Sequence, residues 1–380
     1  MGPLAGIKIV ELAGIGPAPM CAMLLADLGA TVLRVDKPNK SPLGIPRPAR
    51  FDLVLRGRKI VEIDLKKPDG VCLVLDLVEK SDAFIEGFRP GVSERMGLGP
   101  EACMARNPKL VYGRVTGWGQ DGPLAMSAGH DLNYISITGV LDAIGRQGQP
   151  PSIPLQLVGD YAGGALYLAM GLLAGILEAR SSGQGQVVDA AMVDGVASLA
   201  TLLYGMNAAG IHRPPRGTNI LDGGSPFYAV YECSDGKWIS IAPLEPKFFE
   251  QLLERLGIEK QSLGPQYDPS TWADTRAVFS EAFRKRTQAE WIVQLTGTDV
   301  CFAPVLDFTE ALDHPHLVAR RTFIDIDGVR QPAPAPRFSR TPPSNPEGPA
   351  NVSQTNTDEA LAAWIDRDKI AALRVAGTIT

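Results

Sequence analysis

His130 and Asp160 are the residues of this chain whose type and company best suit proton transfer. His130 is one of only four histidines and lies in Gly129-His130-Asp131-Leu132-Asn133-Tyr134, beside a carboxylate and just after a glycine. Asp160 stands in Val158-Gly159-Asp160-Tyr161-Ala162-Gly163-Gly164, where glycines open a long apolar stretch. An imidazole with an ordinary pKa of about 6.5 exchanges protons readily near neutrality. A carboxylate at a helix start is held in a defined direction by the dipole and the free N–H groups. Both residues also have a plainer use. Asp160 can N-cap a helix that begins near Tyr161, and His130 can cap a helix or pack against a turn.

A third acid, Glu245, precedes Pro246 between a predicted strand and a predicted helix, where stabilising the helix start is a sufficient role for it. Lys37, Arg56, Arg58, Lys59, Arg89 and Arg95 all fall at strand ends or in the loops beside them. Open α/β sheets bind ligands at such edges, so a phosphate site is one reading and solvated surface charge the other. His212, His314 and His316 have no company comparable to that of His130; Asp313-His314-Pro315-His316 reads as a loop turn, and a metal there would need further ligands that the neighbouring sequence does not supply.

Other chemistries lack their motifs. The first βα turn, Ala13-Gly14-Ile15-Gly16-Pro17-Ala18, misses the third glycine of a dinucleotide fingerprint, and Pro17 removes an N–H from the cradle. Neither a P-loop nor an HExxH pair occurs. The five cysteines are scattered without a CxxC, which predicts neither zinc nor a disulfide framework and suits a reducing interior. A net charge of −5 argues against a nucleic-acid partner. The first residues carry no charged and apolar leader, and the last form no address. The uncharged runs Tyr161 to Leu177 and Gly195 to Ile211 are shorter than the ~20 apolar residues of a spanning helix, so they are read as core helices and no membrane partner is expected.

Positioning these residues falls to a βαβ pattern. Strands are predicted at Ile7 to Leu12, Thr31 to Val35, Lys59 to Asp64, Ala83 to Glu86 and Leu110 to Val115, with helices at Met20 to Leu28, Pro68 to Glu79 and Pro100 to Asn107. Alternation of this kind implies a parallel sheet covered by helices, a doubly wound α/β domain. Helices follow at Ala162 to Ala179 and Met192 to Ala209, around a short strand at Gly185 to Ala190. Phe227 to Cys233 and Lys237 to Ile241 read as a hairpin turning at Asp235-Gly236. Helices from Pro246, at Ala277 to Phe283 and at Gln288 to Gln294, and a strand at Val305, complete a smaller α+β domain. Residues 332–349 are proline-rich and extended, and one helix from Asp358 to about Val375 closes the chain. The expected division is a large Rossmann-like domain (1–190 and 335–380), linkers (191–226 and 311–334) and an inserted small domain (227–310).

Several segments together resemble the family III CoA-transferases, the CaiB/BaiF group. They are Gly6-Ile7-Lys8-Ile9-Val10-Glu11-Leu12, Ala26-Asp27-Leu28-Gly29-Ala30, Arg34-Val35-Asp36-Lys37-Pro38, Arg58-Lys59 with Asp64-Leu65-Lys66, and Arg89-Pro90-Gly91. Gly129-His130-Asp131 through Tyr134, Val158-Gly159-Asp160, Asn219 to Gly224 and Glu245-Pro246 are similar to the α-methylacyl-CoA racemases of that group. The resemblance implies two interlocked chains forming a homodimer, each with a Rossmann-like large domain and a small one. It implies an isomerase that interconverts (R)- and (S)-2-methylacyl-CoA thioesters, with His130 and Asp160 as the acid/base pair and Glu245, from the partner's small domain, orienting His130. It further implies that CoA lies against Ile15, Lys37, Glu62, Ile63, Asp64, Leu65, Arg95, Gly129, Asp131, Leu132, Asn133 and Tyr134. No separate cofactor is needed, because CoA is part of the substrate, and a cytoplasmic (or, in a eukaryote, organellar) setting is expected. A transferase with Asp160 as acyl-carrying nucleophile is the alternative. One departure is Lys37, where the racemases typically carry arginine; lysine meets phosphate as a point charge and lacks the bidentate fork.

Overall fold

The computed structural model describes residues 2–38, 44–349 and 356–379. The chain divides into two compact units, residues 1–138, 155–199 and 321–380 in the first and 139–154 and 200–320 in the second. These boundaries differ from the expected ones. The 192–199 helix belongs to the first unit because Gly195 has no room for a Cβ, which would lie 1.9 Å from the Gly163 carbonyl oxygen. Residues 139–154 join the second unit, where Arg216 Nη1 donates to the Gln149 carbonyl at 2.9 Å.

A six-stranded parallel sheet forms the first unit: β1 (Lys8–Leu12), β2 (Thr31–Asp36), β3 (Lys59–Glu62), β4 (Ala83–Glu86), β5 (Val111–Thr116) and β6 (Gln186–Ala191), in the order β3-β2-β1-β4-β5-β6. Alternate residues of these strands point to opposite faces, so both faces carry a core. Val10, Leu12, Leu33 and Val35 pack with Leu73 and Leu77 of the Pro68–Glu79 helix and with Trp364. Ile9 and Val32 on the other face pack with Cys21 and Leu25 of the Pro17–Asp27 helix and with Leu168, Leu172 and Ile176. The predicted doubly wound fold is therefore present, with strand ends moved by one or two residues.

Two predicted long helices are broken. Met192–Leu199 stops at Ala200 (φ −85°, ψ 7°), and Thr201–Ala208 starts afresh. The closing helix is two, Thr357–Ala362 and Arg367–Val375, because Trp364 and Ile365 between them turn into the core and Asp366 takes an extended N-cap conformation. The helical run 157–182 is long and apolar enough to cross a membrane by length and composition, yet half of its apolar window is buried. Its glycines bring it down onto the sheet: a Cβ on Gly175 would lie 2.7 Å from Val111, and one on Gly171 2.5 Å from Val188. The proline-rich stretch leaves a hairpin, β10 (Phe323–Ile326) against β11 (Val329–Pro332), and holds to the first unit through Glu347, whose carbonyl accepts from Gly57 and whose carboxylate meets Lys59 at 2.9 Å.

The second unit carries the antiparallel sheet β7 (Ala229–Glu232), β8 (Trp238–Ile241) and β9 (Phe302–Val305). The Asp235-Gly236 turn joins the first two, with Gly236 at φ +75°. Helices Pro246–Leu256, Trp272–Phe283 and Gln288–Leu295 close over an aromatic core of Phe227, Tyr231, Phe249, Phe279, Phe283 and Trp291.

Candidate active site

All six strands of the large sheet run the same way, so their C-terminal ends share one edge. Ile15 follows β1 there, Lys37 follows β2, and Glu62 ends β3. Arg95 ends the Val92–Arg95 helix after β4, and the Gly129–Tyr134 segment follows β5. Asp160 lies in the crossover from β5 to β6. The strand order reverses between β1 and β4, and ligands of open α/β sheets settle in the crevice at such a switch point. Ile15, Lys37, Arg95, Leu132 and Asn133 are exposed on this edge, while Glu62, Asp64 and Leu65 are half-buried. Ile63 departs from expectation. The whole residue is buried in the core, and its backbone is bridged to the buried Ile379, so it offers no surface to CoA.

His130 is the N-cap of the Asp131–Ile137 helix, with extended backbone (φ −135°, ψ 173°), and its N–H donates to Asn133 Oδ1 at 3.0 Å. Asn133 is thus occupied in holding the histidine's backbone. Two missing side chains make space for the ring that anchors this turn. A Cβ on Gly117 would fall 1.9 Å from Tyr134 Cε1, and one on Gly129 2.8 Å from it. The Tyr134 ring meets Trp118 edge-on at 4.8 Å, and its hydroxyl donates to the Gly129 carbonyl. Tyr134 through its hydroxyl and Asn133 through Oδ1, both predicted as CoA contacts, therefore help to fix the loop that presents His130. The imidazole itself is on an exposed residue.

Asp160 is not an N-cap, contrary to the simple reading. The helix starts earlier, at Leu157, and runs as a π-helix to Leu166 before becoming α-helical over Tyr167–Ser182, so Asp160 lies inside the first turn. Single π-turns often accompany functional sites. Asp131 Oδ1 accepts the Asp160 N–H at 2.7 Å, tying the start of this helix to the start of the helix capped by His130. The carboxyl of Asp160 is pushed up to about 6, first by burial and then by the charge of Asp131, while the His130 imidazolium pulls it back. Tyr134 is pushed up to about 12 by burial and by Asp160, so its hydroxyl keeps its proton.

This carries a pH prediction. Proton exchange between opposite faces needs the His130–Asp160 pair to hold one proton in total, and that count is the same whichever group holds it. The acidic limb of kcat/KM, where both become protonated, is expected near the Asp160 value of about 6, well above an ordinary aspartate. Below it activity should fall about tenfold per pH unit, equally from either enantiomer. Profiles measured from both pure enantiomers check this; a limb near the ordinary aspartate value contradicts it.

Gly16 forms the other wall. It has φ +70° and ψ −124°, and a Cβ there would stand 2.9 Å from Asp160 Oδ2. Gly16→Ala should strain the turn and push the carboxylate aside, and a displacement of this kind costs about 100-fold in rate. A kcat/KM within about twofold of wild type would refute the contact's importance.

The basic residues separate into two sets. Arg58 and Arg56 are buried in ion pairs, Arg58 with Glu11 at 2.5 Å and Arg56 with Asp27 at 2.5 Å, and Lys59 meets Glu347; neither the phosphate nor the solvated reading holds for the two arginines. Lys37, Arg89 and Arg95 remain exposed along the edge. Glu11 and Arg34, which the sequence reading passed over, form a buried pair at 2.7 Å. The available signal was a carboxylate inside the apolar run Ile9-Val10-Glu11-Leu12. Glu245 belongs to the second unit, where it N-caps the Pro246–Leu256 helix and is exposed. Among the described residues no three His, Cys, Asp or Glu side chains converge as a metal site.

The model of CoA-transferase family III matches residues 4–359. Alpha-methylacyl-CoA racemase of Mus musculus is 42% identical over 340 residues, which cover 89% of this chain and 87% of the relative. Succinyl-CoA–D-citramalate CoA-transferase of Chloroflexus aurantiacus is 30% identical over 361 residues, covering 90% and 89%. The crystal structure of a CaiB/BaiF family protein from Brucella suis superposes with a TM-score of 0.80 at 26% identity, covering 96% of this chain and all of that one. The chain belongs to CoA-transferase family III.

Proposed function

We propose that the protein is an α-methylacyl-CoA racemase, which interconverts (R)- and (S)-2-methylacyl-CoA thioesters. The observation that carries this reading is the pairing of His130 and Asp160 at the starts of two helices tied together by the Asp131–Asp160 hydrogen bond. Similarity to a named racemase over most of both chains supports it.

A thioester acidifies its α-carbon, so loss of that proton leaves an enolate with its charge on oxygen. One member of the pair takes the proton from one face while the other, protonated, delivers its own to the opposite face. The two groups end with their protons exchanged, and the reverse reaction restores them. Asp160 suits both parts because its value of about 6 leaves its two forms close in energy near neutrality. At the start of the Asp131–Ile137 helix the Asn133 and Tyr134 N–H groups donate to the His130 carbonyl, and the backbone N–H groups of Asp131 and Leu132 ahead of them suit the enolate oxygen. CoA would run along the sheet edge past Lys37, Glu62 to Leu65, Arg95 and the Gly129–Tyr134 loop. The reaction calls for no cofactor beyond the CoA of the substrate.

The same reading takes the enzyme as an interlocked homodimer in which Glu245 of one subunit reaches His130 of the other. Exposed Leu166, Met170 and Leu177 along the 157–182 helix support a second subunit, since a stripe of this kind is normally covered. In D₂O a single enantiomer should lose its chirality and gain deuterium at the α-carbon, with its thioester intact and no acceptor acid present. Retention of both the proton and the chirality overturns the reading. The second reading, acyl transfer through Asp160, is favoured by the similarity to a named transferase. Hydroxylamine would then trap an acyl-aspartyl adduct when an acceptor acid is supplied.

A further inference from the structure

Asp131 has neither of its carboxylate oxygens turned to solvent. The residue is 6% exposed, Oδ1 accepts the Asp160 N–H at 2.7 Å, and Oδ2 is buried without a hydrogen-bond partner. Gly159 is what allows the approach, because a Cβ there would lie 2.6 Å from Asp131 Oδ1. A buried carboxylate oxygen left without a donor is costly, and folds rarely keep one without a use. Contact with CoA, the role expected from the family resemblance, does not describe a side chain facing inward. Resting on the racemase reading above, we infer that Asp131 is a positioning residue: it ties the helix bearing Asp160 to the helix capped by His130 and holds a negative charge against the Asp160 carboxyl.

The surroundings leave this charge with little competition. From the Asp131–Ile137 helix and its cap, His130, Asp131 and Tyr134 face Asp160, with Arg89 beyond Tyr134. The Pro17–Asp27 helix brings only Cys21 and Asp27, and Asp27 is bound to Arg56. Asp194 of the Met192–Leu199 helix acts on Asp189 of β6, and Arg114 of β5 is bound to Glu86 and Glu94. On the continuing Tyr167–Ser182 helix, Tyr167 donates to Ser198, and Glu178 and Arg180 lie near the far end. Burial raises the Asp160 carboxyl most, and among the described residues the charges that act on it are Asp131, which raises it further, and His130, which lowers it.

The test is Asp131→Asn in the full chain, whose amide oxygen can still accept the Asp160 N–H while the charge is gone. The acidic limb of kcat/KM should move down by about one pH unit in both directions of the reaction. A ¹³C carboxyl titration of Asp160 in labelled protein should move by the same amount without any turnover. That readout separates this inference from the racemase reading: an inactive wild type would sink the latter and leave the titration to decide the former. An unchanged titration in a folded variant overturns the inference. So does a rise in KM with an unchanged pH profile, which would make Asp131 a ligand-binding residue. Asp131→Ser, a shorter uncharged acceptor, repeats the test should the asparagine variant not fold. Failure of both to fold would assign Asp131 to the fold alone and overturn the inference.

Discussion

Replacing His130 by alanine should abolish racemisation while sparing α-proton exchange of one enantiomer, and replacing Asp160 by alanine should spare exchange of the other. Each variant loses the group that serves one face of the α-carbon. The remaining base can still remove and return a proton on its own face, so exchange survives without inversion. General acid–base groups contribute about 10²–10⁴-fold, and racemisation needs both groups in one turnover, so loss toward the upper end is expected. The geometry favours a clean result, because neither side chain carries the local fold. The His130 turn is held by Asn133 Oδ1 and the Tyr134 ring, and the Asp160 helix is anchored through its backbone N–H. Exchange followed by NMR in D₂O, alongside chiral analysis, reads both outcomes. Variants that lose exchange of both enantiomers equally would mean a single site of deprotonation.

The second large effect is structural. Glu11→Ala should lower stability to urea by about 3–5 kcal/mol, because it leaves the buried Arg58 guanidinium without its carboxylate partner and Arg34 with the more distant Asp36 at 3.6 Å. Glu11 is fully buried between Arg34 at 2.7 Å and Arg58 at 2.5 Å, and the arginine side chains are 5% and 0% exposed. Arg34 also donates to the Gly14 carbonyl in the turn after β1 at 3.4 Å, and Arg58 to the Pro19 carbonyl in the first turn of the Pro17–Asp27 helix at 2.8 Å. These two contacts flank Gly16, the residue that abuts Asp160. The loss of Glu11 is therefore expected to slow turnover as well, even where the variant remains folded. A change below about 1 kcal/mol would show that the cluster is ordinary surface-like ion pairing.

The parallel sheet was legible because apolar runs bounded by Gly and Pro repeat at βαβ spacing, and the hairpin because Asp235-Gly236 pairs a turn-forming residue with a glycine that takes positive φ, here +75°. Helix continuity was not. Ala200 interrupts an unbroken apolar pattern with no glycine or proline to mark it, and Trp364 and Ile365 satisfy a helical period while turning into the core. The π-turn that places Asp160 inside its helix depends on how Gly163 and Gly164 lie against Met192, Val196 and Pro17, which are contacts distant in sequence. At the site, types and local spacing picked out His130 and Asp160, whereas the partners of Arg56 and Arg58 are set by the fold. Glu11 and Arg58 are 47 residues apart, and nothing local announces that they meet. Asp131 was legible as a neighbour of His130 and not as the acceptor for Asp160.

The central claim is that two different groups act on opposite faces of one carbon. Its most direct test starts from a single pure enantiomer in D₂O and stops within the first few per cent of conversion. Deuterium is then measured separately in the product enantiomer and in the recovered substrate. Two-group transfer predicts a product labelled at the α-carbon and a recovered substrate that remains largely protiated. Equal labelling of the two pools from the outset, or inversion that keeps the original proton, would contradict the account.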